Sequence, residues 1–149
     1  MLEVQQCKLF RDTFSEKGNH YPELRNILGD FIATKAQDPT KPFGSRDGPF
    51  KNAGHFTGKV PKLRHAHLMH DMNLCYTISG KDPATLKLYG LFKHDELGTG
   101  QPANHRRQQN VATSMANQSF EPMPAAPKQA EPKKPESYKN QAWYKNQSK

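Results

Sequence analysis

Three short runs decide the fold: L63-R-H-A-H-L-M69, N73-L-C-Y-T-I78 and T85-L-K-L-Y-G-L-F92. Each combines apolar, branched or aromatic residues over a length typical of a β-strand. The links between them, H70-D-M72 and S79-G-K-D-P-A84, are short and built from turn formers. An antiparallel meander is therefore expected. Upstream, Leu24, Ile27, Leu28, Phe31 and Ile32 fall at helical spacing within Y21-P-E-L-R-N-I-L-G-D-F-I-A-T-K35. Pro22 and Glu23 suit the first turn of that helix. The opening segment, L2 to S15, reads as a strand running into a helix or as helix throughout. Phe10 and Phe14, at i,i+4, favour helix for its second half, and G18-N19 is expected to end it. Between Gln37 and Gly58 the pairs D-P, K-P-F-G, D-G-P and A-G mark successive turns, which predicts a loop. The fold class is α+β: two N-terminal helices packed on one face of an antiparallel sheet of three to four strands. The other face is left to solvent or a ligand.

The 149 residues suffice for one ordinary domain. Only 34% are hydrophobic and the mean hydropathy is -0.96, both low for a packed chain. The deficit is local. From Gln101 onward Val111 is the only Ile, Leu or Val, and six of the twelve prolines lie there. Residues 1–98 are therefore expected to fold and 99–149 to form a basic, Pro-rich, mostly disordered tail. The formal charge of +8 is shared between them, the tail having eight Lys and Arg against three Asp and Glu. A basic tail on a basic body suits a polyanionic partner, nucleic acid first, although solubility alone also accounts for such a charge.

Cys7 and Cys75 are too few for a disulfide framework or a paired-cysteine zinc site, and both sit in apolar surroundings. Buried free thiols in a reducing compartment follow. No run approaches the roughly 18 apolar residues of a membrane span, and no signal-peptide core opens the chain, so a cytoplasmic protein without a membrane partner is expected.

The histidines carry the chemistry. Three of the seven, His65, His67 and His70, fall within R64-H-A-H-L-M-H-D71, and His94 follows the last strand in F92-K-H-D-E-L-G98. Strand alternation puts Leu63, His65, His67 and Met69 on one face and Arg64, Ala66 and Leu68 on the other. Two histidines at i,i+2 with a third ligand would hold zinc. Alternatively, two imidazoles flanking a phosphodiester act as base and acid without a metal. An aspartate then orients one ring, and Lys or Arg stabilises charge on the phosphate. His55, His67, Asp71 and His94 supply the catalytic parts, and Lys62, Arg64 and Lys93 supply positive charge. The plain structural alternatives are a loop histidine at 55, turn formers at 70 and 71, and an exposed post-strand histidine at 94.

The order of these parts resembles the RelE-superfamily toxins of type II toxin–antitoxin systems, the YafQ branch in particular. R64-H-A-H67 resembles that branch's Arg-x-Ala-His strand, with Asp71 four residues on. L74-C-Y76 and G90-L-F-K-H94-D-E-L97 resemble its later segments, the last with two extra residues between glycine and histidine. G29-D-F-I-A-T-K35 followed by F43-G-S-R-D47 is similar to the related YafO toxins. The likeness spans about residues 20–98. It implies a metal- and cofactor-independent endoribonuclease that cuts mRNA in the ribosomal A site by 2′-hydroxyl attack, neutralised by a cognate acidic antitoxin. His55, His67, Asp71 and His94 become the acid/base and orienting residues, and Arg64 a phosphate ligand. One departure matters: the branch has an aromatic residue four after the last histidine, where this chain has Gly98. Phe92 is the candidate substitute for holding a base.

In the tail, Tyr138, Trp143 and Tyr144 alternate with lysines, a pattern able to stack on unpaired bases and contact phosphates. The alternative to the enzyme is accordingly a non-catalytic RNA- or ribosome-binding protein acting through its basic face and tail.

Overall fold

The computed structural model describes residues 2–50, 54–81 and 83–123. Strand β1 (Leu2–Gln6) passes through Cys7 into helix α1 (Lys8–His20), which settles the N-terminal alternatives in favour of strand then helix. Helix α1 runs through Gly18 and Asn19, the expected break. The cost of one helical glycine, about 1 kcal/mol, is offset by packing of Phe10 and Lys17 on its inner side. Helix α2 (Leu24–Gln37) buries Leu24, Leu28, Phe31 and Lys35, a stripe at helical spacing.

The three diagnostic runs form β3 (Arg64–Met69), β4 (Met72–Ser79) and β5 (Ala84–Phe92), paired antiparallel as expected. The sheet is larger than three or four strands and is not purely antiparallel. Strands β2 (Asp47–Pro49) and β6 (Glu121–Pro122) extend it to six, in the order β2-β3-β4-β5-β1-β6. Strand β1 lies parallel to β5, from Leu2 opposite Ala84 to Gln6 opposite Leu88. Two helices and the meander separate β1 from β5, a connection long enough for parallel pairing.

The region expected to be a loop contains β2 and helix α3 (Gly54–Lys59). Both are short, β2 being Asp-Gly-Pro and α3 carrying two glycines, so turn composition hides them. Folding also continues beyond Gly98. Short helix α4 (His94–Leu97) leads to helix α5 (His105–Ala116), where the Asn104 side chain accepts the Arg107 N–H at 3.0 Å as a cap. Helix α5 buries Gln108, Ala112 and Met115, one face of a helix. That face is made without Ile or Leu, which is why composition placed the end of the folded part too early. The expected tail aromatics Tyr138, Trp143 and Tyr144 lie outside the described residues.

The sheet has a core on each side. Cys7, Phe10, Leu24, Leu28, Phe31, Ala66, Leu74, Tyr76 and the Leu86–Leu88–Leu91 set pack under α1 and α2. On the other side Phe56, Val60, Leu63, Cys75, Tyr89, Phe92, Leu97, Ala112 and Met115 pack under α3 and α5. The face expected to lie open is thus half covered. What α3 and α5 leave uncovered is a cleft over β2, β3 and the end of β5.

Candidate active site

The alternation of β3 holds from Leu63 to His67. Ala66 joins the core under α1 and α2, while His65 and His67 turn to the opposite face. A register shift between His67 and Met69 then returns Met69 to the helix side, where it packs with Leu68. His67 stands opposite Asn73 in β4, and Asn73 opposite Phe92 in β5, so the residues after Phe92 emerge beside His67. This brings His94 to the same end of the sheet. The two ring centroids lie 6.4 Å apart with planes inclined by 25°.

Asp71, in the β3–β4 turn, reaches across to His94. Its Oδ1 lies 2.5 Å from the His94 Nδ1, and the His94 backbone N–H points at both carboxylate oxygens, 3.2 and 3.3 Å away. An imidazole held this way presents Nδ1 to the carboxylate and keeps Nε2 for other work. The cleft in front of the rings has a volume of ≈ 420 Å³ and is lined by His65, His67, Asn73, His94 and Thr99, with the Ser45–Phe50 segment along one side.

The electrostatics divide the histidines. Burial, the Arg46 guanidinium and His94 push the His67 ring below the ordinary histidine value, and Asp71 offsets only part of this. This favours the neutral form of His67, the form that accepts a proton. His65 is also held low, chiefly by burial, with Asn73 acting in the opposite sense. Its ring stacks on Phe50 at 4.3 Å, and its buried Nδ1 has no hydrogen-bond partner among the described residues. Among those residues no group of three or more His, Cys, Asp or Glu is clustered as a metal ion would require.

The remaining sequence candidates lie elsewhere. His55 is on α3, not in a loop, and its ring meets His105 of α5 edge-on at 5.5 Å, away from the cleft lining. Arg64 points to the side of the sheet covered by α1 and α2, where Tyr76 is buried. Its Nε donates to the Tyr76 hydroxyl at 3.1 Å, and its guanidinium lies 4.0 Å from Asp47. It is a structural cation with its partners already in place. Lys62, at positive φ before β3, does not line the cleft, nor does Lys93, whose backbone N–H is taken by Glu96 at 2.8 Å. Phe92 is 8% exposed, its ring lying over the Gly90 backbone in the core under α5, so it presents no stacking face. Gly98 itself cannot be aromatic. Its φ is +84°, and a Cβ there would stand 2.5 Å from the Asn104 carbonyl oxygen.

Sequence reasoning missed Ser45, Arg46, Phe50, His65 as a cleft residue, Asn73 and Thr99. The signal for the first two was present in F43-G-S-R-D47. The Asp47 side chain is fully buried and pairs with Lys35 at 2.6 Å, so this motif and the Lys35 that ends the preceding one meet in space.

No family model matches the sequence, and no curated protein matches it. Among solved structures, a copper-bound mutant toxin from Helicobacter pylori is similar, with a TM-score of 0.50 and 24% sequence identity. The similarity covers 65% of this chain and 99% of that toxin. At this identity the likeness is one of fold, and the chain shares the α+β fold of that protein. No helix among the described residues is long and apolar enough to cross a membrane.

Proposed function

We propose that the protein is the toxin of a toxin–antitoxin pair and an endoribonuclease of RelE type, cleaving mRNA on the ribosome by general acid–base catalysis. The observation that carries this reading is the His67–His94 ring pair at 6.4 Å in the cleft, one ring held below the ordinary histidine value and the other held by Asp71. His67 takes the proton of the RNA 2′-hydroxyl as that oxygen attacks the adjacent phosphorus. His94, its Nδ1 on Asp71, gives the proton of Nε2 to the departing 5′-oxygen. The products are a 2′,3′-cyclic phosphate and a 5′-hydroxyl. Nucleophile, base and acid are then all supplied without a metal. The toxin-like fold and the ordered motifs resembling the YafQ branch support the same reading. Its implied partners are mRNA in the ribosomal A site and an acidic antitoxin that covers the basic face, in the cytoplasm.

Induced expression of His67→Ala and His94→Ala tests it, with transcript ends mapped within translated messages and folding checked by circular dichroism. Each folded variant is expected to lose growth inhibition and cleavage by roughly 10²- to 10⁴-fold. Full activity in both refutes acid–base catalysis by this pair.

A further inference from the structure

Segment 43–50 forms a strap along one wall of the cleft. It is fastened at its centre by Asp47, whose side chain is fully buried. Oδ2 accepts from Lys35 Nζ at 2.6 Å and from the Phe43 N–H at 2.8 Å, and the Tyr76 hydroxyl donates to Oδ1. Lys35 is itself 1% exposed and donates also to the Lys41 carbonyl at 2.7 Å. Three residue pairs join the strap to β3, and the His67 N–H donates to the Arg46 carbonyl at 3.1 Å. Gly44, at φ +79°, supplies the turn that leads into it.

Among the described residues, Arg46 is the only Lys or Arg lining the cleft. Unlike Arg64, Lys35 and Lys17, which have carboxylate partners, its guanidinium has no hydrogen-bond acceptor or carboxylate partner among the described residues. It instead stands near enough to His67 to disfavour a proton on that ring. Arg46 is exposed, so its guanidinium on the cleft wall near His67 is open to an anion entering the cleft.

We infer that Arg46 is the phosphate-binding residue of the cleft, and that buried Asp47 is the positioning residue that holds it there through the strap. The ligand is an RNA phosphodiester, contacted by the guanidinium fork. This rests on the nuclease reading, which fails separately.

The test uses the full chain. Transcript cleavage is measured for Arg46→Gln, Arg46→Lys and Asp47→Asn beside His67→Ala, and the His67 ring is titrated by NMR in each variant that retains it. Arg46→Gln is expected to cut cleavage by about tenfold or more, with Arg46→Lys recovering part of it. The His67 titration moves to higher pH in Arg46→Gln. It moves the same way in Asp47→Asn, although Arg46 is present, because the strap no longer holds the guanidinium in place. Where Asp47→Asn does not fold, Tyr76→Phe, which removes one donor to the same carboxylate, gives the same reading. Wild-type cleavage by Arg46→Gln while His67→Ala is inactive overturns the Arg46 assignment and leaves the nuclease standing. An unmoved His67 titration in the Asp47 or Tyr76 variant overturns the positioning role. An active His67→Ala overturns the acid–base role of His67, and with it a phosphate seated between that ring and Arg46.

Discussion

The ring Nδ1 and the backbone N–H of His94 turn to one carboxylate, that of Asp71, at 2.5 and 3.2 Å from its Oδ1. The residues are 23 apart in sequence and meet because the β3–β4 turn and the end of β5 lie at the same end of the sheet. Their side chains are 40% and 47% exposed, so the pair contributes little to stability, about 0–1 kcal/mol. Its importance is orientation. Asp71→Asn is expected to reduce transcript cleavage on the order of a hundredfold with little change in Tm, because an amide neither fixes the ring tautomer nor balances a doubly protonated imidazole. Equal losses of activity and thermal stability would show that the pair is a structural clamp.

A pH dependence follows from His67. Its ring is held below the ordinary histidine value of 6.5, so it remains a base at pH where an exposed histidine is already protonated. The acidic limb of the cleavage profile should therefore fall below pH 6.5 in the wild type and move up in Arg46→Gln. Stability has the same sign. His65 and His67 both have folded values below their unfolded ones, so their contribution is fully present above about 6.5 and is lost as pH falls through the folded values. Urea unfolding at stepped pH checks this; stability that rises on acidification through that window contradicts it.

The meander was legible because each run of β3 to β5 has a clean strand pattern and a turn-rich link. The shared face of His65 and His67 followed from alternation alone. Their partners were less legible. Arg64 and Arg46 are both arginines beside strand residues, and only the pairing of β2 with β3 shows that one faces the helices and the other the cleft. His55 looked like a loop histidine because α3, the helix that carries it towards α5, is six residues long and has a glycine at its first and fifth positions. A tertiary pairing between short elements leaves little periodicity to read.

The Lys35–Asp47 pair is a second measurable consequence of that hidden pairing. Both side chains are almost wholly removed from water. Lys35→Met leaves a buried carboxylate without its main counter-charge and should cost about 3–5 kcal/mol. Adding Asp47→Asn to Lys35→Met is expected to restore part of this, since a neutral amide still accepts from the Phe43 N–H and no uncompensated charge remains. Denaturant unfolding of both variants provides the comparison. A double variant less stable than Lys35→Met alone would show that the charge is not the source of the loss.

Helix α5 is an integral part of the folded unit. Ala112 and Met115 are fully buried against Phe56, Val60 and Leu97, and the Gln108 side chain donates to the Gly98 carbonyl at 2.8 Å. Removing α5 uncovers the core that backs Cys75 and Tyr89, directly beneath the strands bearing the histidines. A chain ending at Gly98 is thus expected to lose its cooperative unfolding transition and its cleavage activity together. One ending at Met123 keeps every contact described above, including the Met123 N–H bond to the Val4 carbonyl at 2.9 Å, and should unfold cooperatively. Met115→Ala in the full chain should lower stability by about 2–5 kcal/mol through the cavity it leaves. Calorimetry on the two truncations decides the matter: a sharp transition in the shorter chain would mean that α5 rests on a core already complete without it.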